Sequence, residues 1–338
     1  MPYSDSAFLE QEWGAENSQM HNQVPISVLM CIYNSEWNRT RQTIYSVISQ
    51  KNIDYELIIS DDGSTGNDIG RIVEYLTVKN FNSYKIVKSN KNQGTIKSLI
   101  SGLAVAKGEF IKPISPGDFL YDENTLRKLY DFMKSNGLKC VFGNVIYYHK
   151  SSNSVKVFNE IRAPAKPERY SLNRSINGKR RYNLLHCGGL INGFSVCYDK
   201  KTWESCLGKL ENCIKYVEDN TSIMMMLLDS IDIVYLNENI GWYEYGEGIS
   251  TNGDDKWIRI MNNEFLKCFE LCNKIYPGNK LIDYFLIKQV PVRTKLSKYS
   301  KVLLRHPILF IYDLLYRFER ASRLTGINSQ LLYDYLSQ

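Results

Sequence analysis

Short apolar runs alternate with segments of helical periodicity through the first third of the chain, and this alternation limits the fold more than any other feature. Residues 26–33 form a run rich in β-branched side chains, and residues 37–50 then place apolar side chains at helical spacing. The alternation continues with apolar runs at 55–60, 84–88 and 110–114 and helical segments at 69–76 and 95–106. Alternating β and α units predict an α/β fold, in which a mostly parallel sheet carries helices on both faces.

Polar side chains follow each of these predicted strands. They are Tyr33, Asn34 and Glu36 after the first, Asp61, Asp62 and Ser64 after the second, residues 88–94 after the third, and residues 115–118 after the fourth. The carboxyl ends of parallel strands meet at one edge of the sheet, where ligands bind. Neither a Gly-x-Gly-x-x-Gly pattern nor a P-loop pattern follows the first strand, which argues against the ordinary dinucleotide and P-loop sites. We therefore expect another kind of nucleotide site at this edge.

The regular alternation ends after Asp118. A helix is predicted over 124–135 and a strand over 140–149, whereas the polar stretch 151–181 is interpreted as a loop. Residues 187–194 contain three glycines, which allow a sharp turn or a close approach to a ligand. The chain becomes helical and aromatic after residue 255. We therefore predict an N-terminal extension (1–24), a main domain (25–254) and a helical C-terminal region (255–338).

Composition limits where such a protein works. With 338 residues and 43% hydrophobic content, the chain can form one large domain and a smaller appendage. The first 24 residues lack the apolar stretch of a signal peptide, and no window reaches the roughly 18 to 20 apolar residues of a membrane span. The eight cysteines show no paired spacing and are interpreted as reduced, buried thiols. These features predict a cytoplasmic location.

The net positive charge belongs to one C-terminal segment. Residues 288–323 contain nine lysines and arginines but two acidic residues, together with many apolar side chains between 302 and 318. One interpretation is an interfacial helix on an anionic membrane surface. The alternative is a helical cap whose apolar face is buried on the main domain or on a second subunit, as in a homo-oligomer. No motif supports a nucleic-acid partner.

Five motifs occur in a characteristic order, at residues 25–34, 55–64, 92–94, 106–111 and 217–219. Together they resemble the family 2 inverting glycosyltransferases of the GT-A fold, which are abundant in bacterial surface polysaccharide synthesis. The resemblance covers about residues 25–252. It implies a Rossmann-like sheet and an enzyme that transfers a sugar from a nucleoside diphosphate sugar, in particular a UDP-sugar, to a hydroxyl of a glycan or of a lipid-linked oligosaccharide.

The resemblance assigns the nucleotide-binding residues. Asp62 corresponds to the carboxylate that contacts uracil, which is chemically reasonable because a ring N–H needs an acceptor and a carboxylate forms a charge-assisted hydrogen bond. Three further residues are expected to line the base and the ribose: Cys31, Tyr33 and Glu36. Asp61 is expected to hold the turn. Taken alone, residues 61–64 are more typical of an ordinary β-turn.

The resemblance also assigns residues to the diphosphate. Asp118 is the last acid of the position where the family has an acidic cluster, and it is the candidate ligand for Mn²⁺ or Mg²⁺, which neutralise a leaving diphosphate. The preceding residues 115–117 carry no acid, so the dependence on metal is expected to be weaker. Lys97, with Lys88, is either a further phosphate contact or a solvated surface lysine.

Inverting transfer needs one base to take the proton of the acceptor hydroxyl. The pair Glu218 and Asp219 matches the family's acidic pair, and we assign the base to Asp219, with Glu218 orienting it or serving the structure. An acidic pair at a helix N-terminus also complements the helix dipole. Residues 242–251 resemble the family's segment over the diphosphate, but Glu244 stands where the family has an arginine.

Two other functions compete with this interpretation. The reduced acidic motif and the missing arginine are compatible with a noncatalytic relative that binds a sugar nucleotide or a glycan, although Asp62, Asp118 and Asp219 argue for catalysis. A nucleotidyltransferase would need a basic, glycine-rich loop after the first strand, which is absent. Asn144, Gly189 and Trp242 are expected to shape the sugar pocket.

Overall fold

A computed structural model describes residues 8–9, 24–66, 68–151, 154–185, 191–246, 254–289 and 295–338. Its strands are β1 (Phe8–Leu9), β2 (Ile26–Ile32), β3 (Tyr55–Asp61), β4 (Tyr84–Ser89), β5 (Phe110–Ile114), β6 (Phe119–Leu120), β7 (Cys140–Lys150), β8 (Val155–Phe158), β9 (Val196–Asp199) and β10 (Ile233–Glu244). Its helices are α1 (Trp37–Ile48), α2 (Asp68–Val78), α3 (Thr95–Val105), α4 (Thr125–Asn136), α5 (Ile176–Leu185), α6 (Lys200–Leu210), α7 (Glu218–Leu228), α8 (Asp255–Ile275), α9 (Lys280–Gln289), α10 (Lys295–Arg305), α11 (Pro307–Arg317) and α12 (Ser329–Leu336).

The strands form one mixed sheet in the order β1-β4-β3-β2-β5-β9-β7-β10-β6, with β8 paired to β7. Its centre is parallel, since β2 pairs in parallel with β3 on one side and with β5 on the other. The partners at the ends of these pairs are Ile32 with Asp61 and Met30 with Ile114. The residues that follow β2, β3 and β5 therefore meet at one edge, as the sequence predicts.

Helices cover both faces of the sheet, which confirms the predicted α/β class. Val28 and Met30 of β2 pack in one core with Ile44 of α1 and Ile72 of α2. Leu29 points to the opposite face and shares a second core with α3, α6 and α7. This alternation follows from the two-residue period of a strand that is buried on both sides.

The interpretation of residues 151–181 as a loop is wrong. The stretch contains β8, a 3-10 helix at Pro167–Tyr170 and the first part of α5. These elements were not predicted because the stretch has few buried positions, and one of these positions is occupied by a lysine instead of an apolar residue. Lys179 is fully buried and pairs with Asp232, while Tyr170 and Tyr182 pack in the core.

The C-terminal helices pack on the rest of the chain. Phe269 of α8, Tyr284 of α9 and Val302 of α10 belong to the same core as α3, α6 and α7. At the other face, Gln42 of α1 donates a hydrogen bond of 2.9 Å from Nε2 to the carbonyl of Leu336 in α12. Within the described residues, no helix combines the length and the apolar character needed to cross a membrane.

The expectation that Trp242 shapes the sugar pocket is wrong. Its side chain is fully buried and stacks on Tyr121 with the ring centroids 5.3 Å apart. Asn144 is also occupied, because its Oδ1 accepts hydrogen bonds from Arg162 and from the Tyr235 hydroxyl, each 2.8 Å long. Gly189 lies outside the described residues.

Candidate active site

Two carboxyl groups from different elements, Asp62 after β3 and Glu218 at the start of α7, lie close to Cys31 near the carboxyl end of β2. The pKa of the Cys31 thiol is raised to about 12, chiefly by burial; the charges of Glu218 and Asp62 contribute to the rise and a hydrogen bond from Ser98 opposes it. Cys31 therefore lies between the turn after β3 and the start of α7. The fold brings together two regions that are separated by nearly half of the sequence.

Asp62 organises the start of α3. Its Oδ1 accepts a hydrogen bond of 2.7 Å from the Gln93 N–H, and its Oδ2 accepts one of 2.8 Å from the Gly94 N–H. Burial raises the pKa of Asp62, while these two N–H groups and Lys215 partly offset that effect. A carboxylate offers about four acceptor positions. Asp62 can therefore hold this loop and still accept a hydrogen bond from a base.

Asp61 holds the turn after β3. Its Oδ1 accepts a hydrogen bond of 2.8 Å from the Ser64 N–H, and its Oδ2 lies 3.4 Å from Lys88 Nζ. Lys97 lines a small pocket together with Asp62 and Lys88. The structure therefore places both lysines on the Asp62 side of the site.

Tyr33 and Glu36 lie on the exposed connection between β2 and α1. Tyr33 is 49% exposed, so one face of its ring is free of core packing. The connection is anchored to the turn after β3, because Asn34 N–H donates to Ser64 Oγ at 2.8 Å and Thr65 N–H donates to Asn34 Oδ1 at 3.0 Å. Glu36 stands directly before α1 and lines a cleft of about 320 Å³.

Asp118 follows β5 and is only 6% exposed. Burial raises its pKa to about 8, Lys112 and Arg39 lower it, and Glu244 raises it. Its main chain is fixed by α1, since Thr43 Oγ1 donates to the Asp118 carbonyl at 2.9 Å. No group of three histidines, cysteines or acids in the described part of the chain is arranged to hold a metal ion. Magnesium commonly binds through one or two carboxylates plus substrate phosphates, and a single Asp118 fits that mode.

Asp219 lies in the first turn of α7 and is partly buried. Burial raises its pKa, while N–H groups of Asn220 and Gly193 lower it. The pKa of the adjacent Glu218 rises to about 8 because of burial and the charge of Asp219. Two carboxyl groups this close cannot both ionise easily. Near neutral pH the pair therefore holds a proton that an isolated aspartate would have lost.

A turn at residues 192–194 links Asp219 with Asp118. A Cβ placed on Gly193 would lie 2.7 Å from the Asp219 Cβ, so the Gly193 backbone approaches the Asp219 side chain more closely than an alanine would allow. The Asn192 amide donates to the Tyr147 hydroxyl at 3.2 Å, and the charge of Asp118 is one of the causes that raise the pKa of Tyr147. The glycines of this segment allow a sharp turn or a close approach to a ligand, and in the structure Gly193 approaches the side chain of Asp219.

The loop before Asp219 is held by a residue that the sequence analysis missed. The carboxylate of Glu264 in α8 accepts hydrogen bonds from the N–H groups of Lys215, Tyr216 and Val217, at 3.0, 2.8 and 3.1 Å. A signal for it exists in the sequence. Glu264 stands four residues before Cys268 on the face of α8 that is buried. A buried glutamate on an apolar helix face needs a partner.

The sequence pattern of glycosyl transferase family 2 matches residues 27–201, just over half of the chain. The chain belongs to this family. Glycosyltransferase GlyG of Streptococcus pneumoniae is 23% identical over 304 residues, which cover 84% of this chain and 96% of GlyG. A poly-beta-1,6-N-acetyl-D-glucosamine synthase of Staphylococcus epidermidis is 32% identical over 133 residues, 39% of this chain and 31% of that synthase. This glycosyltransferase thus spans nearly all of one relative and about a third of the other.

The fold of the glycosyltransferase is also similar to solved structures. S. aureus TarS 1–349 in complex with UDP-GlcNAc has a TM-score of 0.53 and 16% sequence identity, and the match covers 86% of this chain and 88% of that chain. At this identity the likeness concerns the fold alone, and it confirms the predicted GT-A architecture. Asp219, Glu244 and Glu264 lie beyond the segment matched by the family pattern.

Proposed function

We propose that this glycosyltransferase moves a sugar from a UDP-sugar to a hydroxyl of a glycan or lipid-linked acceptor in surface polysaccharide synthesis, with inversion at the anomeric carbon. The observation that carries the proposal is the position of Asp219. Its carboxylate lies in the first turn of α7, and its pKa is raised by burial. A base works best when its pKa lies near the working pH.

In the proposed step, Asp219 takes the proton of the acceptor hydroxyl while the hydroxyl oxygen forms a bond to the anomeric carbon. The bond between that carbon and the diphosphate oxygen breaks, and the nucleoside diphosphate leaves. Attack from the opposite side turns an α-linked donor into a β-linked product. Glu218, whose pKa is raised to about 8 beside Asp219, limits the ionisation of the pair.

The proposed donor site runs from Asp62 to Asp118. Asp62 would accept the ring N–H of the base, with Cys31, Tyr33 and Glu36 around the base and ribose and Lys97 nearby. The likeness to a fold that holds UDP-GlcNAc in TarS supports a uridine nucleotide. Mn²⁺ or Mg²⁺ bound at Asp118 would neutralise charge on the diphosphate as it leaves.

The decisive experiment measures binding and transfer separately. Titration calorimetry with UDP, GDP, dTDP and CDP, each with Mn²⁺ and with chelator, should show binding of UDP. Asp219→Asn should bind UDP like the wild type and transfer no sugar, whereas the exposed Asp131→Asn serves as a control with normal transfer. Full transfer by Asp219→Asn would remove the base assignment. Binding of UDP by the wild type without transfer to any glycan acceptor would favour a noncatalytic sugar-nucleotide-binding protein.

We also propose that residues 288–323 dock on an anionic membrane surface on the cytoplasmic side. The described part of this segment exposes several large apolar side chains, with Leu304 at 85%, Phe318 at 81% and Ile308 at 68%. The others are Leu303, Ile311, Leu314 and Leu315. Exposed apolar groups at this density are typical of an interaction site.

The charge next to these side chains is positive. Lys301, Arg320 and Arg323 are exposed in the same segment. The acids of the segment face basic partners, because Asp313 is buried against Lys288 and Glu319 pairs with Arg169. Positive charge around an apolar face suits anionic lipid headgroups, which attract each basic residue by about 1 kcal/mol.

Vesicle sedimentation tests the membrane proposal. The triple variant Leu304→Glu, Ile308→Glu and Phe318→Glu should no longer sediment with phosphatidylglycerol vesicles, and the wild type should not sediment with phosphatidylcholine alone. The matched control is Val78→Glu, since Val78 is 71% exposed on α2. Equal sedimentation of the triple variant would contradict membrane docking. A wild-type dimer that the triple variant converts to a monomer would instead identify a second subunit as the partner.

A further inference from the structure

Arg39 of α1 and Glu244 at the end of β10 form an ion pair beside the proposed donor site. Arg39 Nη2 lies 2.7 Å from Glu244 Oε2, and the two side chains are 28% and 10% exposed. The two residues, Arg39 and Glu244, are 205 positions apart in the sequence. The Glu244 carboxylate is almost buried, and a buried charge needs an oppositely charged partner. The ion pair therefore holds the Arg39 guanidinium in a fixed direction.

The guanidinium lies directly over the residue before Asp118. A Cβ on Gly117 would stand 2.4 Å from Arg39 Nη2 and 2.9 Å from Glu244 Oε2. Gly117 has a φ of 100°, which a residue with a side chain rarely adopts. Arg39 therefore lies against the residue that directly precedes Asp118 at the end of β5.

The sheet order decides which part of a nucleotide would reach this arginine. Asp62 follows β3 and Asp118 follows β5, and β2 lies between them. Neighbouring strands are about 4.8 Å apart, so the two carboxylates stand at positions about 10 Å apart along the edge. With the base at Asp62, the phosphate farther from the ribose is the one that comes to Asp118.

We infer that Arg39, held by Glu244, binds the phosphate that is farther from the ribose in the nucleoside diphosphate. The inference rests on the proposed function and adds to it a fixed cation that works beside any metal at Asp118. A guanidinium has five N–H donors in a planar fork, so it can keep its bond to Glu244 and bind a phosphate oxygen as well. The cleft of about 320 Å³ lined by Arg39, Gly117 and Glu244 has room for that phosphate.

The test compares uridine nucleotides that differ in their phosphates. In chelator, Arg39→Gln should lower the affinity for UDP about tenfold or more, the usual effect of losing a charged hydrogen bond. Its affinity for UMP and uridine should stay within about twofold of the wild type, because these ligands lack the phosphate in question. Glu244→Gln should retain most of the UDP binding, since the amide oxygen of glutamine can still accept a hydrogen bond from the guanidinium.

Arg169→Gln is the matched control for the loss of an ion pair. Arg169 lies 2.7 Å from Glu319, and the two side chains are 36% and 13% exposed, close to the values for Arg39 and Glu244. This variant should bind UDP normally. Equal losses for UDP, UMP and uridine in Arg39→Gln would assign Arg39 to the structure alone and overturn the inference, as would unchanged UDP binding. A wild type that binds none of the three ligands, either in chelator or with Mn²⁺, would instead overturn the proposed function.

Discussion

The backbone of Gly193 lies directly against the side chain of Asp219. A methyl group at this position would approach the Asp219 Cβ to 2.7 Å and Oδ2 to 2.9 Å. The turn that carries Gly193 cannot retreat freely, because Asn192 bonds to Phe194 N–H at 3.0 Å and to the Tyr147 hydroxyl at 3.2 Å. Asp219, the proposed base, can therefore occupy its position only because residue 193 has no side chain.

Gly193→Ala should lower kcat by about tenfold or more while UDP affinity stays near that of the wild type, because displacement of the base by about 1 Å is enough to lose much of the rate. Steady-state kinetics and UDP titration give the two values. The free energy of unfolding should fall by about 1 to 3 kcal/mol, as for other overpacked sites. Gly208→Ala is the control, since an added Cβ at Gly208 meets nothing within 4 Å. Normal kcat in Gly193→Ala would show that the contact does not position the base.

Glu264→Gln should reduce kcat more than UDP affinity. The carboxylate accepts three N–H groups from residues 215–217, and an amide with one carbonyl oxygen cannot replace it. Loss of these charged bonds should lower the free energy of unfolding by about 1 to 3 kcal/mol, measured by urea denaturation. Glu270→Gln on the same helix is exposed and should change neither value. If Glu264→Gln had the same kcat as Glu270→Gln, the clamp that Glu264 forms on the loop before Asp219 would have no role in catalysis.

Glu218 should make the protein less stable as the pH rises. Burial and Asp219 raise its pKa to about 8 in the folded protein, against about 4.3 for an unfolded glutamate. Between these values the folded state binds more protons, so the free energy of unfolding falls with increasing pH. Glu218→Gln should remove this contribution, on the order of 1 to 3 kcal/mol, and raise the Tm relative to wild type at pH 8 more than at pH 5. A Tm difference that is the same at both pH values would contradict the raised pKa.

Asp62→Asn should lower UDP affinity by about tenfold, because it removes charge from a site that would receive a ring N–H and because its amide can accept only one of the bonds from Gln93 and Gly94. Calorimetry with UDP measures the change. Asp54→Asn, an exposed residue at the other end of β3, should bind UDP normally. UDP binding by Asp62→Asn at the wild-type affinity would show that Asp62 does not bind the uracil base.

The sequence predicted the parts of the fold that depend on local patterns. The strands at β2, β3, β4 and β5 and their intervening helices follow from apolar periodicity, and the polar residues after them meet at one edge because the strands are parallel. The elements within 151–181 escaped prediction because a buried, ion-paired Lys179 reads as a surface residue in a sequence. Trp242 was assigned to the sugar pocket although it is a core residue, because its stacking on Tyr121 cannot be seen in the local sequence.

The candidate site was predictable to the extent that its residues lie in family motifs. The positions of Asp62, Asp118 and Asp219 were found in this way, and their binding and catalytic roles stay predictions. Arg39 and Glu264 were missed because their partners are distant in sequence, at Glu244 and at residues 215–217. The position of Glu264 on an apolar helix face indicates that it needs a partner, but the local sequence does not identify that partner, which becomes visible only when the fold is known.

The clamp formed by Glu264 has a consequence for how this protein can be recombined. The helix that carries it begins at Asp255, after the donor-side strands and well beyond the family-matched segment 27–201. A chimaera that joined residues 1–254 to the C-terminal helices of a relative would keep the donor edge of the sheet and lose the carboxylate that fixes the loop before Asp219. The C-terminal helices, which we propose dock on a membrane, and the alignment of the proposed base are thus inherited as one unit, so exchanging this region should also lower kcat.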